Sequence, residues 1–319
     1  MESSETPPQE HKITTHGGLD IVDTDDFFAD PPESIGTIHT AQTDLQTFQH
    51  PMSSLKRGII VGFWTLSLLG ISYLITHYAR VRTGSTWFWI WTISLPGLAL
   101  LVSYFSTEFT AVCSYVGDLG VARFTMTKAR GGISKEEILN FSDAEALKTT
   151  TTNHFTNGVY QNTTYYYEWQ DPNGHTIFLI NGSHRSRNGP PKLLTDNYYF
   201  ADGARFSWNL FKLSDMLTTI DAGGMVEFPT SDFTMAVGKN SFNIIHPKKQ
   251  LVWTLDDIDE VSLHEGFITL KSVKFAESGF FSRFLGKGKL TFPYSSVPNG
   301  ELLLMLIEHF TGKNVIPGR

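Results

Sequence analysis

Two long apolar runs lie close together near the start of the 319-residue chain. Residues 58–78 read GIIVGFWTLSLLGISYLITHY and residues 85–105 read STWFWIWTISLPGLALLVSYF, and neither run contains Asp, Glu, Lys or Arg. About 20 helical residues span the roughly 30 Å hydrocarbon core of a bilayer. Each run is therefore predicted to be a transmembrane helix. Because only residues 79–84 separate them, we predict a hairpin rather than the alternative, two buried helices of a soluble core.

Aromatic residues mark both ends of the second run. Trp87, Trp89 and Trp91 lie at its start, and Tyr104 lies at its end. Since amphipathic rings favour the interfacial zone of a bilayer, we predict that the three tryptophans contact the membrane or a partner. Pro96 is predicted to kink this helix, because proline has no N–H and its ring crowds the carbonyl group four residues earlier.

The charges that flank the two runs indicate an orientation. Lys56, Arg57 and Arg123 lie on the side of the chain ends, against Arg80 and Arg82 in the connecting loop. Basic residues are enriched on the cytoplasmic side of membrane proteins. The chain has one cysteine, so an intramolecular disulfide is excluded, which is typical of a reducing compartment. We predict a protein of the inner (plasma) membrane with two helices, whose N-terminal segment and C-terminal region face the cytoplasm.

The first 55 residues form an acidic segment with few large apolar side chains. Ten acidic residues against one lysine give residues 1–55 a net charge of −9, whereas the whole chain carries −7. Such a segment cannot bury enough apolar surface to offset the conformational entropy of folding. We predict a tail that is disordered or bound to a partner, with a solvated spacer as the alternative. No basic face follows it, so no nucleic-acid partner is expected.

Short β-branched and aromatic runs, separated by turn signals, follow the predicted hairpin segment 56–107. Six predicted strands precede a helix over 197–220, and six more precede a helix over 299–310. The predicted strands are 112–117, 120–128, 136–141, 144–152, 163–170, 175–182, 233–237, 241–246, 250–255, 258–263, 267–272 and 289–293. This order predicts two β-rich units, 108–224 and 225–319, each capped by a C-terminal helix. The similar heptapeptides FSDAEAL (141–147) and LDDIDEV (255–261) agree with a repeat.

The second of these units carries a family resemblance. Residues 242–245 (FNII), 251–261 (LVWTLDDIDEV) and 266–270 (GFITL) resemble the central strands of pleckstrin-homology-like domains, in particular those beside paired membrane helices in bacterial proteins. The resemblance implies a bent antiparallel sheet closed at one end by a helix. The predicted fold class is therefore α+β, with a two-helix transmembrane hairpin followed by two pleckstrin-homology-like units. The first unit departs from this pattern by its Gly/Pro/Arg loop, 183–196.

No motif in the chain predicts catalysis, a cofactor or a metal. The sequence lacks the phosphate-binding loop, the nucleophile elbow, the HExxH motif and the dinucleotide fingerprint. No two histidines have the i, i+4 spacing of a helical metal site. Asp256, Asp257, Asp259 and Glu260 are interpreted as a solvated turn, since alternate residues of a strand point to opposite faces. We therefore expect neither an enzyme nor a bound cofactor.

One loop interleaves aromatic rings with cations. Near an anionic bilayer each cation contributes about 1 kcal/mol, and rings favour the headgroup zone. We predict membrane or partner contact there, against the alternative that the rings pack on their own sheet. The residues are Phe280, Phe281, Arg283, Phe284, Lys287 and Lys289. A second candidate loop holds His184, Arg185, Arg187 and Lys192.

These features together predict a non-enzymatic, membrane-anchored interaction protein. It would contact the lipid bilayer and other membrane-protein subunits, as an accessory or scaffold subunit of a photosynthetic, respiratory or transport complex. The alternative is a membrane regulator that senses lipids or their headgroups.

Overall fold

The computed structural model is an α+β protein with two long apolar helices and several antiparallel sheets. Its described residues are 13–21, 27–45, 54–78, 84–106, 110–127, 132–246, 249–272, 285–286 and 289–317.

The two predicted apolar helices are present. The first is α1, Ser54–Tyr78. The second begins as α2, Thr86–Trp89, continues as a π-helical turn, Ile90–Ser94, and ends as α3, Leu95–Ser106.

A π-helical turn lies directly before Pro96, where we predicted a kink; the kink itself stays a prediction. The Leu95 N–H donates to the carbonyl oxygen of Ile90, five residues back instead of four. Such a wider turn is one of the recognised causes of helix irregularity. It occurs where the proline ring would otherwise crowd the regular helix.

The first sheet has four antiparallel strands in the order β1-β2-β3-β4. These strands are β1, Ile38–Leu45; β2, Thr110–Gly117; β3, Gly120–Thr127; and β4, Gly132–Asn140. Leu45 of β1 pairs with Ala111 of β2. The apolar hairpin is therefore an insertion between two neighbouring strands of one sheet.

Strand β1 lies within the segment 1–55, which we had predicted to be disordered or bound to a partner. Its described residues instead order against the sheet of the same chain. Ile35 is fully buried, and the Tyr115 hydroxyl donates to the Ala29 carbonyl oxygen. The His16 ring nitrogens lie 2.7 Å from Thr40 Oγ1 and 2.9 Å from Ser114 Oγ. Residues 1–12, 22–26 and 46–53 lie outside the described part, so the prediction is untested there.

The second sheet packs with a long helix against the first. Its strands are β5, Ala146–Thr156; β6, Val159–Gln170; and β7, Thr176–His184. Helix α4, Asn197–Asp221, begins where the Asp196 side chain accepts a hydrogen bond from the Tyr198 N–H. Aromatic side chains dominate this core, among them Phe141, Tyr165, Trp169, Phe200 and Trp208.

The second half of the chain repeats this order of elements. A four-stranded sheet holds β8, Val226–Pro229; β9, Thr234–Val237; β10, Ser241–His246; and β11, Lys249–Thr254. A further sheet holds β12, Glu260–His264; β13, Phe267–Lys271; β14, Leu285–Gly286; β15, Lys289–Pro293; and β16, Ile316–Pro317. Helix α5, Gly300–Thr311, lies between β15 and β16 in the chain.

The similar heptapeptides occupy the same place in both halves. In each half a 3-10 turn, Phe141–Asp143 or Leu255–Asp257, joins the four-stranded sheet to the next sheet. Phe141 and Leu255 are both buried. The local sequence similarity therefore reflects an equivalent structural position.

Asn299, directly before α5, joins the two halves. Its Oδ1 accepts from the Leu147 N–H at 2.8 Å and from the Trp208 Nε1–H at 3.2 Å. Its Nδ2 donates to the Glu145 carbonyl oxygen at 3.1 Å. This side chain does not cap α5, because all of these contacts are with the first half.

Candidate functional site

The apolar hairpin presents its large side chains outward. In the apolar 18-residue window of each candidate span, Leu55–Tyr78 and Thr86–Phe105, only 6% and 12% of the residues are buried. A core helix of a soluble protein is mostly buried, and a large exposed apolar surface marks a protein or membrane contact. Both helices are long and apolar enough to cross a membrane. Exposed residues include Leu55, Ile59, Phe63, Leu66, Leu69, Ile93, Leu98, Leu101 and Phe105.

The two helices meet at the end that adjoins the sheets. Arg57 near the start of α1 donates to the Tyr104 carbonyl oxygen at 2.7 Å, and its guanidinium carbon lies 4.2 Å from the centroid of the Tyr104 ring. This contact satisfies a terminal carbonyl of α3 with a cation, which also favours the negative end of the helix dipole. The hairpin is thus closed at its base.

The other end of the hairpin carries exposed rings. Trp87 and Trp89 are 63% and 53% exposed, and Tyr78 is 80% exposed. Trp91 belongs to the π-helical turn, but its side chain lies outside the described part. Trp87 and Trp89 therefore lie at a surface where they are available for the predicted membrane or partner contact, which itself remains a prediction.

An apolar groove of about 380 Å³ runs between the helices, lined by Ile60, Trp64, Leu68, Ala99, Val102 and Ser103. Nearby in the chain, the buried hydroxyls of Ser72 and Thr92 have no hydrogen-bond partner in the structure.

Most of the predicted aromatic and cationic loop falls outside the described residues. This applies to Phe280, Phe281, Arg283, Phe284 and Lys287. Lys289 is exposed at the start of β15, opposite Lys271 of β13. Lys271 in turn binds the Glu260 carboxylate. The predicted contact of this loop with a membrane or partner thus stays a prediction.

The structure contains a β-hairpin tip that we did not predict, between β5 and β6. Strands β5 and β6 continue beyond the end of β7, because β7 pairs only as far as Thr163. Asn157 and Gly158 form the turn, with φ angles of 50° and 77°. Both lie in the left-handed region that Asn-Gly turns favour, so this dipeptide was a readable hairpin signal.

The tip surface, which we define as Phe155, Val159, Arg185 and Arg187, combines exposed apolar groups with cations. Phe155 is 48% and Val159 63% exposed. The Arg187 guanidinium carbon lies 5.3 Å from the centroid of the Phe155 ring. The structure thus places Arg187 of the second candidate loop beside Phe155, an apolar residue that the sequence reasoning missed.

The tip surface lies at the end of the first half where the chain leaves β1 for the apolar hairpin. The His184 ring, which precedes Arg185, lies 5.4 Å from the Tyr198 ring in the first turn of α4. Just before that helix, the Thr195 carbonyl oxygen accepts from Gln42 Nε2 at 2.9 Å. Gln42 is near the end of β1, where the chain leaves for α1.

Acidic groups at this end are engaged with neighbouring groups. Asp196 accepts the capping hydrogen bond of α4 at 2.9 Å, and Asp44 accepts from Gln42 Nε2 at 3.1 Å. Burial raises the pKa of the Asp44 carboxyl, against the opposing effect of the Gln42 hydrogen bond, and the nearby Asp196 charge raises it further.

No model of a known protein family matches this chain, and no curated protein matches it. Within the described ranges, no three His, Cys, Asp or Glu side chains are grouped closely enough to hold a metal ion.

Proposed function

We propose that this is a non-enzymatic, membrane-anchored interaction protein, an accessory or scaffold subunit of a larger membrane complex. The observation that carries the proposal is the outward-facing apolar surface of the hairpin. Burying a large apolar side chain is favourable by roughly 1.5–3 kcal/mol, so exposing this surface to water would cost tens of kcal/mol. A bilayer removes that cost, and short linkers then hold the sheets beside the membrane.

The proposed location is the inner (plasma) membrane, with Met1 and Arg319 both in the cytoplasm. The hairpin supports placing both ends on one side, and the excess of basic residues on that side supports the cytoplasm. Reporter fusions at each terminus test this topology. A signal from the far side at either terminus contradicts it.

We also propose that the two halves are pleckstrin-homology-like units. The support is the repeated order of a four-stranded sheet, a 3-10 turn, a further sheet and a helix. The first unit would then include residues 38–45 in addition to 108–224, because β1 completes its sheet. An experimental structure in which the second half, 225–319, does not superimpose on the first would refute the repeat.

Purification from native membranes in mild detergent tests the function. A stoichiometric complex with other membrane subunits is expected. A variant with Trp87 and Trp89 replaced by Ala provides a comparison, since it removes exposed rings without disturbing the Arg57 contact at the base. A monomer that instead binds anionic liposomes through its sheets would favour the lipid-sensing alternative.

A further inference from the structure

We propose that the tip surface rests on the headgroup layer of an anionic bilayer, the same bilayer that holds the apolar hairpin. This inference builds on the proposed membrane insertion and adds a second, peripheral contact to it. Three features support this contact: the short tether between hairpin and sheet, the reach of the tip, and its charge.

The tether between hairpin and sheet is short. Only residues 107–109 separate Ser106, the last residue of α3, from Thr110, the first residue of β2. Four Cα–Cα steps of 3.8 Å cover at most about 15 Å. Thr110 therefore lies within about 15 Å of the base of the inserted hairpin, which Arg57 and Tyr104 mark.

The tip extends toward the same side. Strand β6 continues four residues past its last pairing with β7, from Thr163 to Val159. At about 3.3 Å per residue, the tip reaches about 13 Å beyond the end of β7. His184 at the end of β7 contacts the first turn of α4, beside the end of β1. The reach of the tip beyond this point, about 13 Å, is similar to the maximum length of the tether, about 15 Å.

The charge of this surface suits an anionic partner. Neither 150–167 nor 183–195 contains an Asp or Glu, whereas Arg185, Arg187 and Lys192 are basic. Cations near an anionic bilayer are attracted to its headgroups, and aromatic or aliphatic groups enter the interfacial zone. Arg187 can leave the face of the Phe155 ring for a phosphate, because both side chains are exposed. A bilayer is favoured over an acidic protein because the tether already brings the membrane within reach.

Site-specific fluorescence in the full chain tests the proposal. Val159→Cys at the tip is compared with Ile177→Cys, a β-branched residue that is 42% exposed near the opposite end of the same sheet. Leu66→Cys, at a position 70% exposed in the middle of α1, reports insertion of the hairpin. The native Cys113 is fully buried, so the added thiol is the one that reacts with an environment-sensitive dye.

Each labelled chain is reconstituted into vesicles of phosphatidylcholine, with or without 30% phosphatidylglycerol, that carry brominated lipid as a quencher. We expect quenching at Leu66 in both vesicles, quenching at Val159 mainly in the anionic ones, and little at Ile177. Replacing Arg185 and Arg187 together by Gln should lower the ratio of docked to undocked tip about 30-fold, because each cation near the surface contributes about a fivefold factor.

The outcomes separate this inference from the proposed function. Quenching at Leu66 without quenching at Val159 overturns the tip contact and leaves the membrane anchor standing. No quenching at Leu66 overturns the membrane anchor itself, and the tip contact with it. Equal quenching at Val159 and Ile177 contradicts a specific tip. Shielding of Val159 in native membranes but not in vesicles would show that the surface binds a protein instead.

Discussion

Replacing the half-buried Asn299 by Ala should strongly destabilise the folded region. Three side-chain hydrogen bonds would be lost, those with the Leu147 N–H, the Trp208 indole N–H and the Glu145 carbonyl. Each contributes about 1 kcal/mol net. Asn299 also has a φ of 57°, and alanine in that left-handed conformation costs about 1 kcal/mol more than asparagine. The expected loss of unfolding free energy is therefore about 4 kcal/mol.

Two further variants divide this loss into its causes. Asn157→Ala is the matched control, because Asn157 has a φ of 50° at an exposed turn, and the change there should cost only the backbone strain of about 1 kcal/mol. Asn299→Asp keeps the acceptor Oδ1, which receives both the Leu147 and the Trp208 hydrogen bonds, and tolerates the left-handed conformation, so it loses mainly the donation to Glu145, about 1 kcal/mol.

The assay is urea unfolding of the full chain in detergent micelles, followed by tryptophan fluorescence. The expected order of destabilisation is Asn299→Ala well above Asn299→Asp and Asn157→Ala. If Asn299→Ala costs no more than Asn157→Ala, the hydrogen bonds between the two halves contribute nothing measurable, and the halves are not held together at this residue.

Three other predictions follow from single contacts. Arg57→Gln should weaken the contact between the two helices at the base of the hairpin by about 1 kcal/mol, because the cation that lies over the Tyr104 ring is lost. An unchanged midpoint of unfolding in an SDS titration would contradict this. Burial lowers the pKa of His16 from 6.5 to about 3. As the pH falls from 6.5 to 5.5, His16 is therefore protonated in the unfolded chain but stays neutral in the folded protein, and the free energy of unfolding should fall by about 1 kcal/mol. Urea unfolding at both pH values should show that this part of the pH dependence disappears in His16→Gln. Burial raises the pKa of the Cys113 thiol, so the folded protein should react with a thiol reagent only after unfolding, and rapid labelling would refute its burial.

Elements with strong local signals were predictable from the sequence. Helix α4 was predicted over 197–220 and spans Asn197–Asp221, because its apolar residues recur at helical spacing and two glycines, Gly223 and Gly224, follow. The apolar helices were likewise evident, since their length and lack of charge leave few alternatives.

Strand β1 was not predictable from its own residues. Its sequence, IHTAQTDL, is largely polar and lies in an acidic segment, and its partner β2 begins only at Thr110. Long-range pairing of this kind leaves no local pattern. The tip surface was predictable in part: the loop with Arg185 and Arg187 was identified, whereas the Asn157-Gly158 turn, a clear signal, was overlooked.

The insertion of the hairpin between β1 and β2 also affects how the first sheet can form. Pairing of Leu45 with Ala111 closes a loop of about 65 residues, and closing a chain of that length costs about 3.7 kcal/mol in length-dependent entropy. Once the two helices are paired, only about 11 connecting residues remain to be closed, which lowers the cost by about 1.5 kcal/mol. Assembly of the two helices should therefore favour the pairing of β1 with β2 at the edge of the first sheet.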